Sequence, residues 1–385
     1  MKKVLYVTTV SRTINAFLVP HIEMLIDNGY KVDCACSIDK EINKNLIKRG
    51  VNIYKVPFSR SPLSFNNLRA FKNLLKIQEE NQYDIVHVHT PIASIYGRLL
   101  KFRFKKLKTI YTAHGYHFLK GGSKNAWMLY YPIEKIMAKL TDVTININKE
   151  DYEITKNNLK PKQVYLVNGV GLDFNEYKAL CKEKKNKKRA ELGLNENDFV
   201  VIMIAELNEN KNQIQLIKAM ELLKDRYPNI KALSVGEGEK LQDLMEEVKL
   251  RKLENNISFL GFRNDINELI NVSDIGILLS YREGLPRNLM ELMANGKRVI
   301  ATNIRGNRDI VSDDCIGSLV DIGDFTATAK SIERYYLNLA EEEKILDKAM
   351  KYDLSRVLKD LKNIYEKLEE GGVDYETMSS YIANE

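Results

Sequence analysis

Two successive series of short runs rich in β-branched residues, each run followed by a longer helical stretch, constrain this chain more than any other feature. In the first series the runs are residues 3–9 (KVLYVTT), 31–37, 52–58, 85–90 (IVHVHT), 108–114, 143–148 and 163–169. The second comprises 199–205 (FVVIMIA), 230–236, 257–261, 275–280, 297–302 and 315–320. Near-continuous apolar strands alternating with helices imply parallel sheets covered on both faces. The expected fold class is therefore α/β, with two Rossmann-like, doubly wound domains facing each other across a cleft. Ligands of such sheets bind outside the carboxyl ends of the strands.

The stretch 178–194, KALCKEKKNKKRAELGL, is dense in lysine and poor in strand formers. It places a linker at 176–194, between an N-terminal domain of 1–175 and a C-terminal domain of 195–350. Beyond about residue 325 the pattern is helical as far as Glu370, where Gly371 and Gly372 stop it, and 371–385 reads as a polar tail. Within the first domain, helices are expected at 65–80 and 126–140. In the second of these Ala126, Leu129, Ile133, Ile136, Met137 and Leu140 mark a stripe that reads as the core face.

Composition narrows the function classes. With 44% apolar and 29% charged residues the chain is globular, and its longest apolar runs fall well short of the ~18 residues that span a bilayer. The start, MKKVLYVTTVSRT, reads as a first strand and not as a secretory signal. Cys34, Cys36, Cys181 and Cys315 lack CxxC spacing and read as reduced thiols of a cytoplasmic protein. The balance of 59 Lys+Arg against 52 Asp+Glu is too mild to indicate nucleic acid. From Arg98 to Lys108, however, RLLKFRFKKLK interleaves cations with apolar residues. That run reads either as a patch that lies on an anionic lipid surface, with Trp127, Tyr130 and Tyr131 as interfacial anchors, or as the solvated end of a helix.

The stretch from Ser280 to Thr302, SYREGLPRNLMELMANGKRVIAT, carries the most chemistry. Pro286 suits a helix start, so Glu283 falls on the strand-to-helix loop and Glu291 inside the helix. Carboxylates accept hydrogen bonds from sugar hydroxyls, so this pair can hold a hexose at Glu283 and a ribose diol at Glu291, or it is an ordinary solvated helix face. His114 and His89 lie at strand carboxyl ends, with His117 just beyond one. Three histidines without a fixed acidic or cysteine spacing are a poor metal motif.

The E-x7-E of EGLPRNLMELMANGKRVIAT resembles the donor-site signature of the retaining GT-B glycosyltransferases of family 4. LVNGVGLD (166–173), AELNENKNQ (205–213), SVGEGE (234–239) and FLGFRNDINELINVSDI (259–275) are similar to further segments of that family, in order. By TTVSRTINAFLVPHI, DIVHVHTP, YTAHGYHF and ATNIRGNRDIV the sequence looks closest to the bacterial enzymes of capsule, exopolysaccharide and lipid-linked oligosaccharide assembly. The resemblance implies a GT-B fold whose C-terminal helix, 351–370, returns to the N-terminal domain. It implies a UDP-sugar donor, no metal or other cofactor, and a saccharide on a polyprenyl diphosphate as acceptor, met at the inner face of the cell membrane. His114, Lys211 and Glu283 take the catalytic roles, His114 at the transferred sugar and Lys211 at the diphosphate. Glu206, Gly236, Arg263, Gly284, Leu285, Pro286, Arg287 and Glu291 line the donor. Ser11, Arg12, Thr13, His89, Arg305 and Arg308 meet acceptor or phosphate.

The chain departs from the family at two points. The first loop, Thr9 to Thr13, has no glycine, and Glu206 stands where an arginine is usual. Arg282, Arg287, Arg305 and Arg308 are the candidates to replace that cation. A non-hydrolysing UDP-sugar 2-epimerase, a glycosyltransferase with a soluble acceptor and a nucleotide-sugar-binding protein are the alternative readings. An NAD enzyme is disfavoured because no GxGxxG follows a strand.

Overall fold

The computed structural model describes residues 1–62, 64–119, 121–338 and 342–370. The chain forms two compact units, one of Met1–Gly171 with the segment that begins at Ser355, the other of Leu172–Leu354. The first holds strands β1 (Lys3–Val10), β2 (Lys31–Ser37), β3 (Ile53–Lys55), β4 (Ile85–His89), β5 (Lys108–Ala113), β6 (Val143–Asn146) and β7 (Gln163–Leu166). They form one sheet in the order β3-β2-β1-β4-β5-β6-β7, every pair parallel. The second holds β8 (Phe199–Ile204), β9 (Ile230–Val235), β10 (Ile257–Phe259), β11 (Ile275–Leu278), β12 (Arg298–Thr302) and β13 (Gly317–Val320). Their order is β10-β9-β8-β11-β12-β13, again parallel.

The apolar runs are continuous because each sheet is buried on both faces. In β1, Val4 and Tyr6 join a core with Leu18, Ile22 and Leu25, while Leu5 and Val7 join another with Leu74, Val86 and Val88. In β8, Val201 and Met203 face one way and Val200 and Ile202 the other. At about 1.5–3 kcal/mol for each fully buried large side chain, these alternations fix register as well as stability. The helix Leu354–Glu370 belongs to the first unit from Ser355 onward, burying Val357, Leu361, Ile364, Tyr365 and Leu368 in its core. Residues 371–385, expected as a tail, lie outside the described residues, as do the two glycines expected to stop the helix.

Three expectations need correcting. The stretch 176–194 is part of the second unit and contains the helix Lys182–Glu191. Buried Arg189 anchors it by donating to the carbonyls of Val272 (2.8 Å), Asn195 (2.9 Å) and Asp198 (2.5 Å). A lysine-rich run thus hides one arginine whose fork of donors does the packing.

The expected core stripe of the helix Lys124–Ala138 is rotated. Its inward side is Trp127, Tyr131, Glu134, Met137 and Ala138, whereas Leu129 and Ile136 are exposed. Trp127 and Tyr131 pack on Phe118, Tyr130 stacks on His117 at 4.6 Å, and the Trp127 indole N–H donates to the Leu119 carbonyl, so these aromatics serve the fold.

Nor is Arg98 to Lys108 a continuous amphipathic surface. Arg98 is 1% exposed and forks onto Glu134 at 2.8 and 3.1 Å. Lys101 pairs with Asp142, Lys108 donates to the Leu368 carbonyl, and Arg103 pairs with Glu79. Exposed Lys105 and Lys106 remain. Among the described residues, no helix is long and apolar enough to cross a membrane.

Candidate active site

In the second sheet the strand order reverses between β8 and β11, the place where doubly wound folds open a crevice. The loop after β8 turns through Glu209–Lys211, capped by the Asn208 side chain, which accepts the Lys211 N–H at 3.2 Å. Asn212 then adopts φ +53°, a left-handed conformation that asparagine tolerates, and begins the helix Gln213–Leu223. The loop after β11 is tied to it. The Tyr281 N–H donates to the Asn210 carbonyl (2.8 Å), and the amides of Asn210 and Asn212 donate to the carbonyls of Arg282 (3.1 Å) and Leu279 (3.2 Å).

This lacing brings Lys211 and Glu283 together, with Nζ donating to Oε1 at 2.6 Å and side chains 21% and 13% exposed. Cation and carboxylate therefore stand within one hydrogen bond of each other at the strand ends, a pairing whose chemistry suits an anionic oxygen beside a hydroxyl. Buried Arg305 donates from Nε to the Glu283 carbonyl at 3.1 Å. Arg308 is exposed and bonds Asn303.

Backbones approach closely around the pair. A Cβ on Gly236 would lie 2.1 Å from the Ala205 carbonyl oxygen, and one on Gly306 (φ +79°) 2.2 Å from that of Gly284. Only glycine permits either contact.

Pro286 caps the helix Arg287–Met293, so Glu283 and Gly284 lie before it and Glu291 within it. Glu291 Oε1 accepts from Tyr177 Oη (2.8 Å) and Arg287 Nε (3.0 Å). Leu285 packs against the core beneath this loop. Tyr177 had no sequence signal, since it lies 114 residues from its partner. Glu206 is exposed, and its carbonyl accepts from Gln213 at 2.9 Å. Arg263 sits beyond edge strand β10, forked onto Asp265, which Lys188 also meets at 2.6 Å. These bonds make it part of an ion cluster with Asp265 and Lys188.

The first unit has its own constellation at the carboxyl ends of β1, β4 and β5. His114 is half-buried, and burial, helped by the field of His21, holds its imidazole down at about 4, so it is neutral at pH 7. Its Nε2 pairs with Nδ1 of His89 at 3.1 Å. His89 is 1% exposed, so the structure places it beneath His114. His87 is likewise internal, bonded to Tyr365 (2.7 Å) and Thr112 (2.8 Å). Among the described residues, no three His, Cys, Asp or Glu side chains form a set fit for a metal ion.

Thr90 holds φ +64°, costly for a β-branched residue, with its hydroxyl bonded to Thr9 N–H (3.0 Å) and Thr9 Oγ1 (2.8 Å). The available sequence signal was Pro91, which excludes the helical region for the residue before it.

The absence of glycine after β1 has a structural explanation. The strand passes directly into helical turns at Ser11, and buried Ser11 Oγ donates to Asp39 Oδ1 (2.9 Å) and accepts from the N–H groups of Asp39 and Lys40. Its hydroxyl therefore pins the loop after β2. Arg12 is exposed and forks onto Asp39 at 2.9 and 3.1 Å, while Thr13 is half-buried.

Burial pushes the Asp39 carboxyl up, but bonds from Arg12 and Ser11 outweigh it and hold it at about 2. A carboxyl depressed below its unfolded value of about 3.9 stabilises the fold above that pH, and the contribution fades as pH falls towards 2. Asp39→Asn is therefore expected to flatten the fall of melting temperature between about pH 4 and pH 2. An unchanged acid limb would refute the pairing.

Two family models cover nearly the whole chain. Residues 154–352 match glycosyl transferases group 1, and residues 3–148 match the glycosyl transferase 4-like model. The chain belongs to the group 1 glycosyl transferases. EpsD of Bacillus subtilis is 34% identical to this glycosyltransferase over 373 residues, covering 94% of this chain and 96% of that one. The UDP-Gal:alpha-D-GlcNAc-diphosphoundecaprenol alpha-1,3-galactosyltransferase of Escherichia coli is 27% identical over 319 residues, 81% of each chain. Among solved structures, Anabaena HepE in complex with UDP and glucose shares the GT-B fold with a TM-score of 0.79 at 20% identity, over 96% of this chain and 100% of that one.

Proposed function

We propose that this glycosyltransferase moves a hexose or N-acetylhexosamine from a UDP-sugar to a saccharide carried on polyprenyl diphosphate, with retention of anomeric configuration. The observation that carries the reading is the Lys211–Glu283 pair at the reversal point of the second sheet. A donor seated there meets Lys211 at its diphosphate, Glu283 at its sugar and Glu291 at its ribose. The Escherichia coli relative, named for a UDP-sugar and a diphosphoundecaprenol acceptor, supports the choice of both substrates.

In the proposed reaction the bond between the anomeric carbon and the β-phosphate oxygen breaks first. The acceptor hydroxyl then bonds the same face of that carbon and gives its proton to a β-phosphate oxygen of the departing UDP. Lys211 and Arg305 supply fixed positive charge where negative charge grows, commonly the largest catalytic contribution, and no metal is assigned a part. His114, neutral at pH 7, serves as a hydrogen-bonding group for the sugar. The protein is assigned to the cytoplasm, on the inner face of the membrane.

The test incubates the full chain with a panel of UDP-hexoses and UDP-N-acetylhexosamines and a polyprenyl-diphosphate saccharide, reading the new linkage by NMR. An α-linked product from an α-linked donor is expected. An inverted linkage refutes retention, and an isomerised UDP-sugar formed without acceptor refutes transfer. In the same system Glu291→Gln keeps one acceptor oxygen but weakens a charge-assisted bond, so UDP affinity is expected to fall about tenfold by calorimetry. Unchanged UDP affinity would show that Glu291 does not hold the ribose.

A further inference from the structure

The helix Lys124–Ala138 turns an apolar face to solvent. Its inward side is occupied by the core, but outward Met128 is 75% exposed, Leu129 and Ile136 are 56% exposed, and exposed Pro132 lies between them. With 3.6 residues per turn these four side chains fall within one arc of about 100°. Exposed apolar residues scattered singly are ordinary, whereas several sharing one helix face mark an interaction surface.

Charge says what kind of partner fits. Between residues 124 and 139 the sole carboxylate is Glu134, which is buried against Arg98. The outward side therefore carries only cations, Lys124, Lys135 and Lys139. The Lys101–Asp142 pair holds the neighbouring turn near the helix's C-terminal end, adding exposed Phe102, Lys105 and Lys106. An apolar arc bordered by lysines, on a helix without an exposed carboxylate and beside a turn where exposed Glu79 is neutralised by Arg103, complements a surface that is negative outside and hydrocarbon beneath.

We propose that this face docks the first unit on an anionic membrane, with Met128, Leu129 and Ile136 entering the headgroup boundary and the lysines at phosphate level. The inference deepens the reading of a lipid-linked acceptor and rests on it for its purpose. The lysines add attraction to such a surface, reduced by salt over a Debye length of about 8 Å.

The test is cosedimentation of the full chain with phosphatidylcholine vesicles with and without phosphatidylglycerol. Wild type is expected to bind the phosphatidylglycerol vesicles and to release in high salt. The Met128→Ser/Leu129→Ser/Ile136→Ser variant is expected to lose about a hundredfold in partitioning. A Lys105→Ser/Lys106→Ser/Lys124→Ser/Lys139→Ser variant is expected to bind weakly with little salt dependence. Both should transfer sugar to a short-chain, water-soluble diphosphate saccharide at the wild-type rate.

Equal partitioning of the serine variant, or equal wild-type binding to neutral and anionic vesicles, overturns the proposal. So does a dimer that the serine variant dissociates while vesicle binding persists, since the face is then a subunit interface. Failure of wild type to use any polyprenyl-diphosphate saccharide in detergent instead overturns the acceptor reading, and the vesicle measurements still decide the docking face.

Discussion

Lys211→Ala is expected to lower kcat of sugar transfer by a factor of about a hundred to a thousand, the usual consequence of removing one preorganised charge from a developing anion, about 3–4 kcal/mol. The ammonium is partly buried and held by a capped turn, so it needs no reorganisation as the diphosphate departs. Glu283→Ala is expected to cost a similar factor, because the same bond that orients Lys211 orients the carboxylate. If the two act as a unit, the double variant loses about as much as the worse single one and not the product of both losses. Single-turnover rates at saturating donor separate this from weakened binding. Neither side chain belongs to an apolar core, so far-UV circular dichroism should be unchanged. Wild-type turnover in either single variant removes the pair from the mechanism.

How much of this was legible in the sequence depended on how local each cause is. The strands were readable because burial on both faces writes a continuous apolar run, as in FVVIMIA at β8. The placement of Glu283 before a helix and Glu291 within it was readable because Pro286 marks the boundary. What failed was set by partners distant in sequence. Arg189 looked like one more cation of a linker, but its partners include the Val272 carbonyl, 83 residues away. Ser11 looked like a ligand hydroxyl, although its partners on the loop after β2 consume it. The helix Lys124–Ala138 has apolar residues on both sides, so periodicity alone chose the wrong one as core.

That choice was decided by Arg98, the residue for which the second large effect is expected. Arg98→Met should destabilise the first unit by about 3–5 kcal/mol in denaturant unfolding, because it leaves Glu134 buried and unpaired. The guanidinium forks onto Glu134, donates to the Ser94 carbonyl and hydroxyl at 3.0 Å each, and lies 4.3 Å above the Tyr111 ring, so methionine replaces its bulk but none of its donors.

Arg98→Met/Glu134→Met removes both charges, and apolar replacement of a buried pair is commonly neutral or stabilising, so it should recover most of the loss. Vesicle partitioning should be the same in the double variant as in wild type, since Arg98 offers nothing to solvent. A single variant as stable as wild type, or a double variant as unstable as the single, would show that the pair does not hold this helix. A double variant with weakened vesicle binding would return Arg98 to the surface patch.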